Sequence, residues 1–192
     1  MYDPDNHLIG LIEQFRVGAL SGIDLGETAL AESPTTVFSD TGVDNTLQVS
    51  ALNKAATAID SVPDEHATSV NSPWLYEVVA GMTESGETPK AVILRELLEE
   101  AGMVPAELLP ICQYFTSPGG TDETLVLFCA LGDLTQVHGV HGLPGEHEDI
   151  RVLVLPEQDV FDDLYDGRFN NAATLICLQW LFINKGNIKT IN

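Results

Sequence analysis

A layered α/β or α+β domain, a mixed β-sheet with helices packed against it, is the fold class that this 192-residue sequence predicts. Three observations carry it. Short apolar runs recur along the chain, each bounded by Gly, Pro or Asp, as strands are. Three other segments place apolar residues at helical spacing. The length and a hydrophobic content of 44% suffice for one well-buried domain, so residues 1–192 are expected to form a single one.

The elements follow in order. Asp3-Pro4-Asp5-Asn6 is a turn signal, and the apolar run His7 to Phe15 after it reads as a core strand. From residue 22 to 71 the composition changes to eight acids, one lysine and a single aromatic, Phe38. That stretch is hard to fit into a core and is expected to be an insertion or lid, with 47–59 able to form a short amphipathic helix. A strand over Pro73 to Ala80 resumes the domain, followed by a loop from Gly81. Thr88 suits an N-cap and Pro89 the first helical position; Ala91, Leu94, Leu97, Leu98 and Ala101 then keep helical spacing until Gly102, which can close the helix in a left-handed conformation. Strands are expected at Ile111 to Phe115, Leu125 to Leu131 and Ile150 to Leu155, and helices at Glu157 to Tyr165 and Ala172 to Asn184.

The helix after Gly81 carries the chemistry. Glu96 and Glu100 lie four residues apart and Glu99 three from Glu96, which puts the carboxylates on one face, roughly 5–6 Å apart at Cβ. Like charges so placed repel. A hard divalent cation with oxygen ligands, typically Mg²⁺ beside a phosphate substrate, offsets that cost. A bare acidic run is commonly just a solvated helix face; the accompanying Glu87, Arg95, Gly81 and Gly102 turn the reading toward a metal site.

Composition narrows the partners. With 29 acidic and 8 basic residues the net charge is −21, which argues against an unaided nucleic-acid or anionic membrane partner and means that a polyanionic substrate needs metal to bind. Cys112, Cys129 and Cys177 form no CxxC pair and read as reduced core thiols. The first residues lack a basic, apolar leader, and the run Leu175 to Ile183 is too short to span a bilayer, so a cytoplasmic protein is expected. His7, His66, His138, His141 and His147 have no zinc-site spacing, and Ser117 has no base to activate it, which disfavours a covalent mechanism.

From Gly81 to Met103 the sequence GMTESGETPKAVILRELLEEAGM resembles the Nudix box at every specified position. Five further segments resemble the ADP-ribose pyrophosphatase branch of that superfamily: IEQFRVGAL (12–20), SPWLYEVVAGM (72–82), TSPGGTDE (116–123), GLPGEHEDIRV (142–152) and NNAATLICLQWL (170–181). Together the match covers residues 2–20 and 72–184. Pro118, fifteen residues beyond the box, sits where a proline accompanies ADP-ribose preference.

The resemblance implies a Nudix fold, a mixed sheet sandwiched between helices, and Mg²⁺-dependent hydrolysis of ADP-ribose to AMP and ribose 5-phosphate. Glu96 and Glu100 would ligate metal together with the Ala80 carbonyl and Glu148, holding roughly two or three Mg²⁺ ions that Mn²⁺ could replace. Glu146 would be the general base, with Glu99 next in line, and Glu87 and Arg95 would pair to fix the helix against its loop. Arg16 and Glu123 would contact substrate, as would Ser117 and Gly119 if the Ser-Pro-Gly-Gly turn is more than an ordinary tight turn. Phe15 and Trp74 read equally as core or as a stacking wall. The branch usually has an N-terminal β-rich region that builds a swapped homodimer; it is expected to be absent here, and the 22–71 insertion is also a departure. The alternatives are hydrolysis of another nucleoside diphosphate sugar such as GDP-mannose, or a Nudix-fold module that binds a nucleotide sugar without cleaving it.

Overall fold

The computed structural model describes residues 1–16, 19, 73–142 and 149–191. The chain divides into two compact units, Met1–Phe15 with Trp74–Asn192, and Arg16–Pro73. The stretch 22–71, including the helix expected at 47–59, lies outside the described residues. Of the second unit the structure describes Arg16, Ala19 and Pro73: the Arg16 N–H donates to the Pro73 carbonyl at 2.7 Å and the Ala19 N–H to the Arg16 carbonyl at 2.9 Å.

The first unit is a seven-stranded mixed sheet covered on both faces. Its strands are β1 (Tyr2–Asp3), β2 (Leu8–Phe15), β3 (Trp74–Glu77), β4 (Glu107–Phe115), β5 (Thr124–Leu131), β6 (Gly139–His141) and β7 (Ile150–Pro156), and its helices are α1 (Pro89–Ala101), α2 (Glu157–Tyr165) and α3 (Ala172–Asn184). The order is β4-β5-β1-β2-β7-β6, with β3 also paired to β2. Along β2, β1 takes Leu8 and Ile9 while β3 takes Ile12 to Phe15. Strand side chains alternate between faces. Ile9 and Leu11 therefore pack with Val160 of α2 and Leu178 and Leu181 of α3, whereas Ile12 and Val152 pack with Leu97 and Ala101 of α1. The sheet is sandwiched between helices, as the sequence implied, and each such fully buried Leu or Ile contributes about 1.5–3 kcal/mol.

All three helices start and end where the spacing predicts, because their ends are written locally. Thr88 Oγ1 accepts the Ala91 N–H at 3.2 Å, and Gly102, at φ 62°, closes α1 with N–H bonds from Gly102 to Leu98 and from Met103 to Leu97. Asn171 caps α3 through the Thr174 N–H and reaches across to the Tyr76 carbonyl with its own amide.

The strands depart from expectation in three ways. Strand β3 stops at Glu77 rather than Ala80, because the next backbone donors are taken by side chains: Val78 N–H goes to Thr174 Oγ1 and Ala80 N–H to Glu100 Oε2. Strand β4 begins four residues before the expected Ile111. It passes through Pro110, which an edge strand tolerates, with a register shift between Pro110 and Cys112. Strands β1 and β6, of two and three residues, are too short for periodicity to reveal.

The cysteines also divide. Cys129 is buried and Cys177 half-buried, and burial pushes the Cys177 thiol up to about 11, but Cys112 is exposed on β4 and is not a core thiol. Among the described residues no helix is long and apolar enough to cross a membrane.

Two charged contacts tie the sheet together. On β2, Glu13 is only 3% exposed and forms an ion pair with its β7 neighbour Arg151, Nε to Oε2 2.8 Å. At the other end of β2, Glu157 opens α2 and accepts from the Tyr2 hydroxyl at 2.8 Å and from Lys185 Nζ just beyond α3. Burial opposes charge on Glu157, but the hydrogen bonds from Lys185 and Tyr2 outweigh it and hold the carboxyl below its ordinary 4.5. A depressed folded-state value means stabilisation that is complete above the unfolded value and lost as pH falls through the folded one. Urea unfolding should accordingly show wild type more stable than Glu157→Gln at about pH 6, with the gap closing toward about pH 3.

Candidate active site

Residues Val78 to Gly81 leave the sheet and pass beneath α1. Glu100, 5% exposed, turns its carboxylate back to accept the Ala80 N–H at 3.4 Å. One turn earlier, Glu96 lies directly on Gly81: a Cβ there would stand 1.9 Å from Glu96 Oε1 and 2.3 Å from its Cδ. A larger side chain there fits only if Glu96 shifts. A glycine at the head of this loop thus leaves the carboxylate above it in place.

Arg95 gathers the remaining acids. Its Nη1 lies 2.8 Å from Glu96 Oε1 and 2.9 Å from Glu99 Oε2, while Nε is 3.9 Å from Glu87 Oε1. The hydrogen bond to Glu99, helped by the charges of Glu96, Glu99 and Glu87, holds the guanidinium above its ordinary range. The expected Glu87–Arg95 pair is present but is the loosest of the three contacts. Glu87 acts more directly within its own loop, where Oε2 accepts the Glu84 N–H at 3.1 Å. Glu99 has one oxygen engaged by the guanidinium.

The hairpin joining β4 to β5 holds the other expected site residues. The Ser117 carbonyl accepts the N–H groups of Gly120 and Thr121, both at 2.9 Å, so the Ser-Pro-Gly-Gly segment is a tight turn with Ser117 and Gly119 exposed. Glu123 closes the hairpin, since its carboxylate accepts the Thr116 hydroxyl at 2.7 Å and its carbonyl the Thr116 N–H at 3.1 Å. Register places this turn. Tyr2 pairs with Ile9 of β2 and Leu131 of β5, and from that level β2 runs on to Phe15 while β5 runs back to Thr124. The turn, Phe15, Trp74 and the start of β7 therefore share one end of the sheet. Phe15 and Trp74 meet edge to face at 5.6 Å and are 44% and 37% exposed, which removes the purely core reading.

Of the expected site residues, the structure brings together Ala80, Glu87, Arg95, Glu96, Glu99 and Glu100, and sets Ser117, Gly119 and Glu123 on the hairpin. Arg16 belongs to the second unit, where it is exposed. Glu146 and Glu148 lie outside the described residues. Sequence reasoning missed the contact of Gly81 with Glu96 and the use of Glu100 to hold the Ala80 amide; the only signal for either was the fixed spacing of Gly81 from the helix.

The donor set suits Mg²⁺ by its chemistry. Two carboxylates one helical turn apart, one of them buried, offer hard oxygens beside a backbone turn. Among the described residues no group of three or more His, Cys, Asp or Glu side chains is set to hold a metal.

The chain is 41% identical over 118 residues to the ADP-ribose pyrophosphatase of Escherichia coli K12, covering 62% of this chain and 56% of the relative. It is 40% identical over 124 residues to the ADP-ribose pyrophosphatase of Haemophilus influenzae, covering 65% and 57%. A GDP-mannose pyrophosphatase of Enterobacter sp. is 29% identical over 132 residues, covering 68% and 63%. The chain thus spans a little over half the length of the curated relatives it matches. The NUDIX domain family itself matches residues 62–175, a stretch that contains the Ala80–Gly81 turn, the whole acidic helix and the hairpin, and by that match the chain belongs to the Nudix family.

Proposed function

We propose that this chain hydrolyses the pyrophosphate bond of ADP-ribose, giving AMP and ribose 5-phosphate by attack of water on phosphorus in the presence of Mg²⁺. The observation that carries the reading is the pair Glu96 and Glu100 folded onto the Ala80–Gly81 turn, in a chain 41% identical over 118 residues to ADP-ribose pyrophosphatases. Mg²⁺ held there supplies charge neutralisation for the pyrophosphate oxygens and lowers the pKa of the attacking water. Glu96 and Glu100 hold it, with Glu148 and the Ala80 carbonyl completing the set. Glu146 takes the proton from the water; Glu99, with one oxygen on Arg95, is the second choice. Arg95 and Glu87 keep the helix and its loop in place. Ser117 and Gly119 offer backbone to the substrate where no bulky side chain intervenes, and Arg16 and Glu123 add polar contacts. Phe15 and Trp74, exposed at the hairpin end of the sheet, suit an apolar wall for a ring. The same reading places the protein in the cytoplasm, as a homodimer, with a small nucleoside diphosphate sugar as its partner.

GDP-mannose is the second reading, favoured by the likeness to GDP-mannose pyrophosphatases at 29% and 32% identity. An assay with Mg²⁺ over ADP-ribose, GDP-mannose, NADH and diadenosine polyphosphates, in which added alkaline phosphatase frees inorganic phosphate from the monoester products, separates them. ADP-ribose should give the highest kcat/KM and Glu100→Gln should abolish it; preference for GDP-mannose would overturn the substrate, and no turnover of any would leave a binding module. Size-exclusion chromatography with light scattering on the same sample reads the homodimer directly.

Two variants test the roles. Glu146→Gln should lower kcat by about 10²–10⁴-fold with metal affinity nearly unchanged, whereas a near-normal rate would move the base to Glu99. Gly81→Ala should lower kcat on the order of 10²-fold with unchanged secondary structure by circular dichroism, because the added methyl displaces Glu96; a normal rate would show that Glu96 is free to shift.

A further inference from the structure

Glu96 is held from two sides by groups of different mobility. Its Oε1, Cδ and Cγ lie over Gly81, in the volume that a Cβ there would take, and that neighbour is backbone. On the other side Arg95 Nη1 lies 2.8 Å from the same Oε1. Arg95 is 39% exposed and has other carboxylates within reach, Glu99 at 2.9 Å and Glu87 at 3.9 Å. Of the two neighbours, the arginine is the one that can leave.

The charges make its leaving matter. Helix α1 carries three glutamates in its last two turns, at 96, 99 and 100, and the loop before it two more, at 84 and 87, against Arg95 and Lys90 as the basic side chains of this helix and loop. Lys90 stands at the opposite end of the helix from Glu99 and Glu100. Arg95 is the basic side chain of α1 that stands within this cluster. A divalent cation on Glu96 and a guanidinium on the same carboxylate would repel at close range.

We infer that Arg95 and the divalent cation compete for Glu96, so that metal ligation requires the Arg95–Glu96 contact to be given up, with Arg95 retreating to Glu99 and Glu87. Arg95 is on this account a positioning residue that sets how much metal the site needs, rather than a mere brace of the helix. A brace predicts the opposite sign: removing it would loosen the ligands and weaken metal binding. The inference rests on the assignment of Glu96 and Glu100 as metal ligands.

Mn²⁺ binding to the full chain without nucleotide, read by electron paramagnetic resonance and by calorimetry, tests it. Arg95→Gln and Arg95→Met should each bind Mn²⁺ about tenfold tighter than wild type, while Arg95→Lys, which keeps the charge, stays near wild type. Two substitutions of different shape guard against one that disturbs folding, which circular dichroism monitors. Equal or weaker binding in folded Arg95→Gln and Arg95→Met overturns the competition. Glu100→Gln serves as the separate control: if it weakens Mn²⁺ binding, the ligand assignment stands whatever Arg95 does, and if it leaves binding unchanged, that assignment falls and takes the competition with it.

Discussion

The contact on which this site depends is the one between Glu96 and the α-carbon of Gly81. A carboxylate of α1 occupies the volume where any other residue would place a Cβ, so helix and turn approach closer than side chains would otherwise permit. Everything near it is arranged to keep that approach. Glu100 secures the preceding amide, Glu87 secures the loop that returns to the helix, and Arg95 gathers the charges that close packing brings together. Thr88 and Gly102 bound the helix so that Glu96 and Glu100, one turn apart, meet the turn in register. A shift of one residue in α1 would rotate them by about 100° away from it.

The sheet supports this arrangement through the division of β2. One edge of β2 is shared by β1 and β3, and its other edge is taken by β7. Because β3 pairs for only four residues, the chain is free after Glu77 to spend its amides on Thr174 and Glu100. Those two side chains belong to helices on opposite faces, α3 and α1. The turn that meets Glu96 is therefore pinned from both layers. Register also sends the β4–β5 turn, the aromatic pair Phe15–Trp74 and the start of β7 to one end, which is how segments far apart in the chain come to border one region.

How legible this was differs by residue. The bounds of α1 followed from its cap, proline and spacing and those of α2 and α3 from spacing, all of which act within a few residues. The acidic face of α1 was legible for the same reason, and its resemblance to the Nudix box pointed to pyrophosphate chemistry. The ends of β3 and β4 were not, because they depend on partners elsewhere: Thr174 lies about a hundred residues from Val78, and Pro110 is tolerated only because β4 lies at the edge of the sheet. Cys112 looked like the other two cysteines until the sheet put it outward. Glu123, read from the sequence as a substrate contact, also accepts the Thr116 hydroxyl, a contact that only the hairpin shows.

The sequence by itself determined what is local: where the three helices begin and end, which face of α1 is acidic, and that hard oxygens crowd there as they would around a divalent cation. Only the tertiary structure decided how that face is used. It showed that Glu96 rests on Gly81 and Glu100 on the Ala80 amide, and that Arg95 leans on Glu96 and Glu99 more closely than on Glu87. The reason is physical. Capping and periodicity act over one helical turn and can be read from neighbours in the chain, whereas the distance between a carboxylate and a backbone turn is set by how a helix packs on a sheet, which depends on residues from every part of the fold.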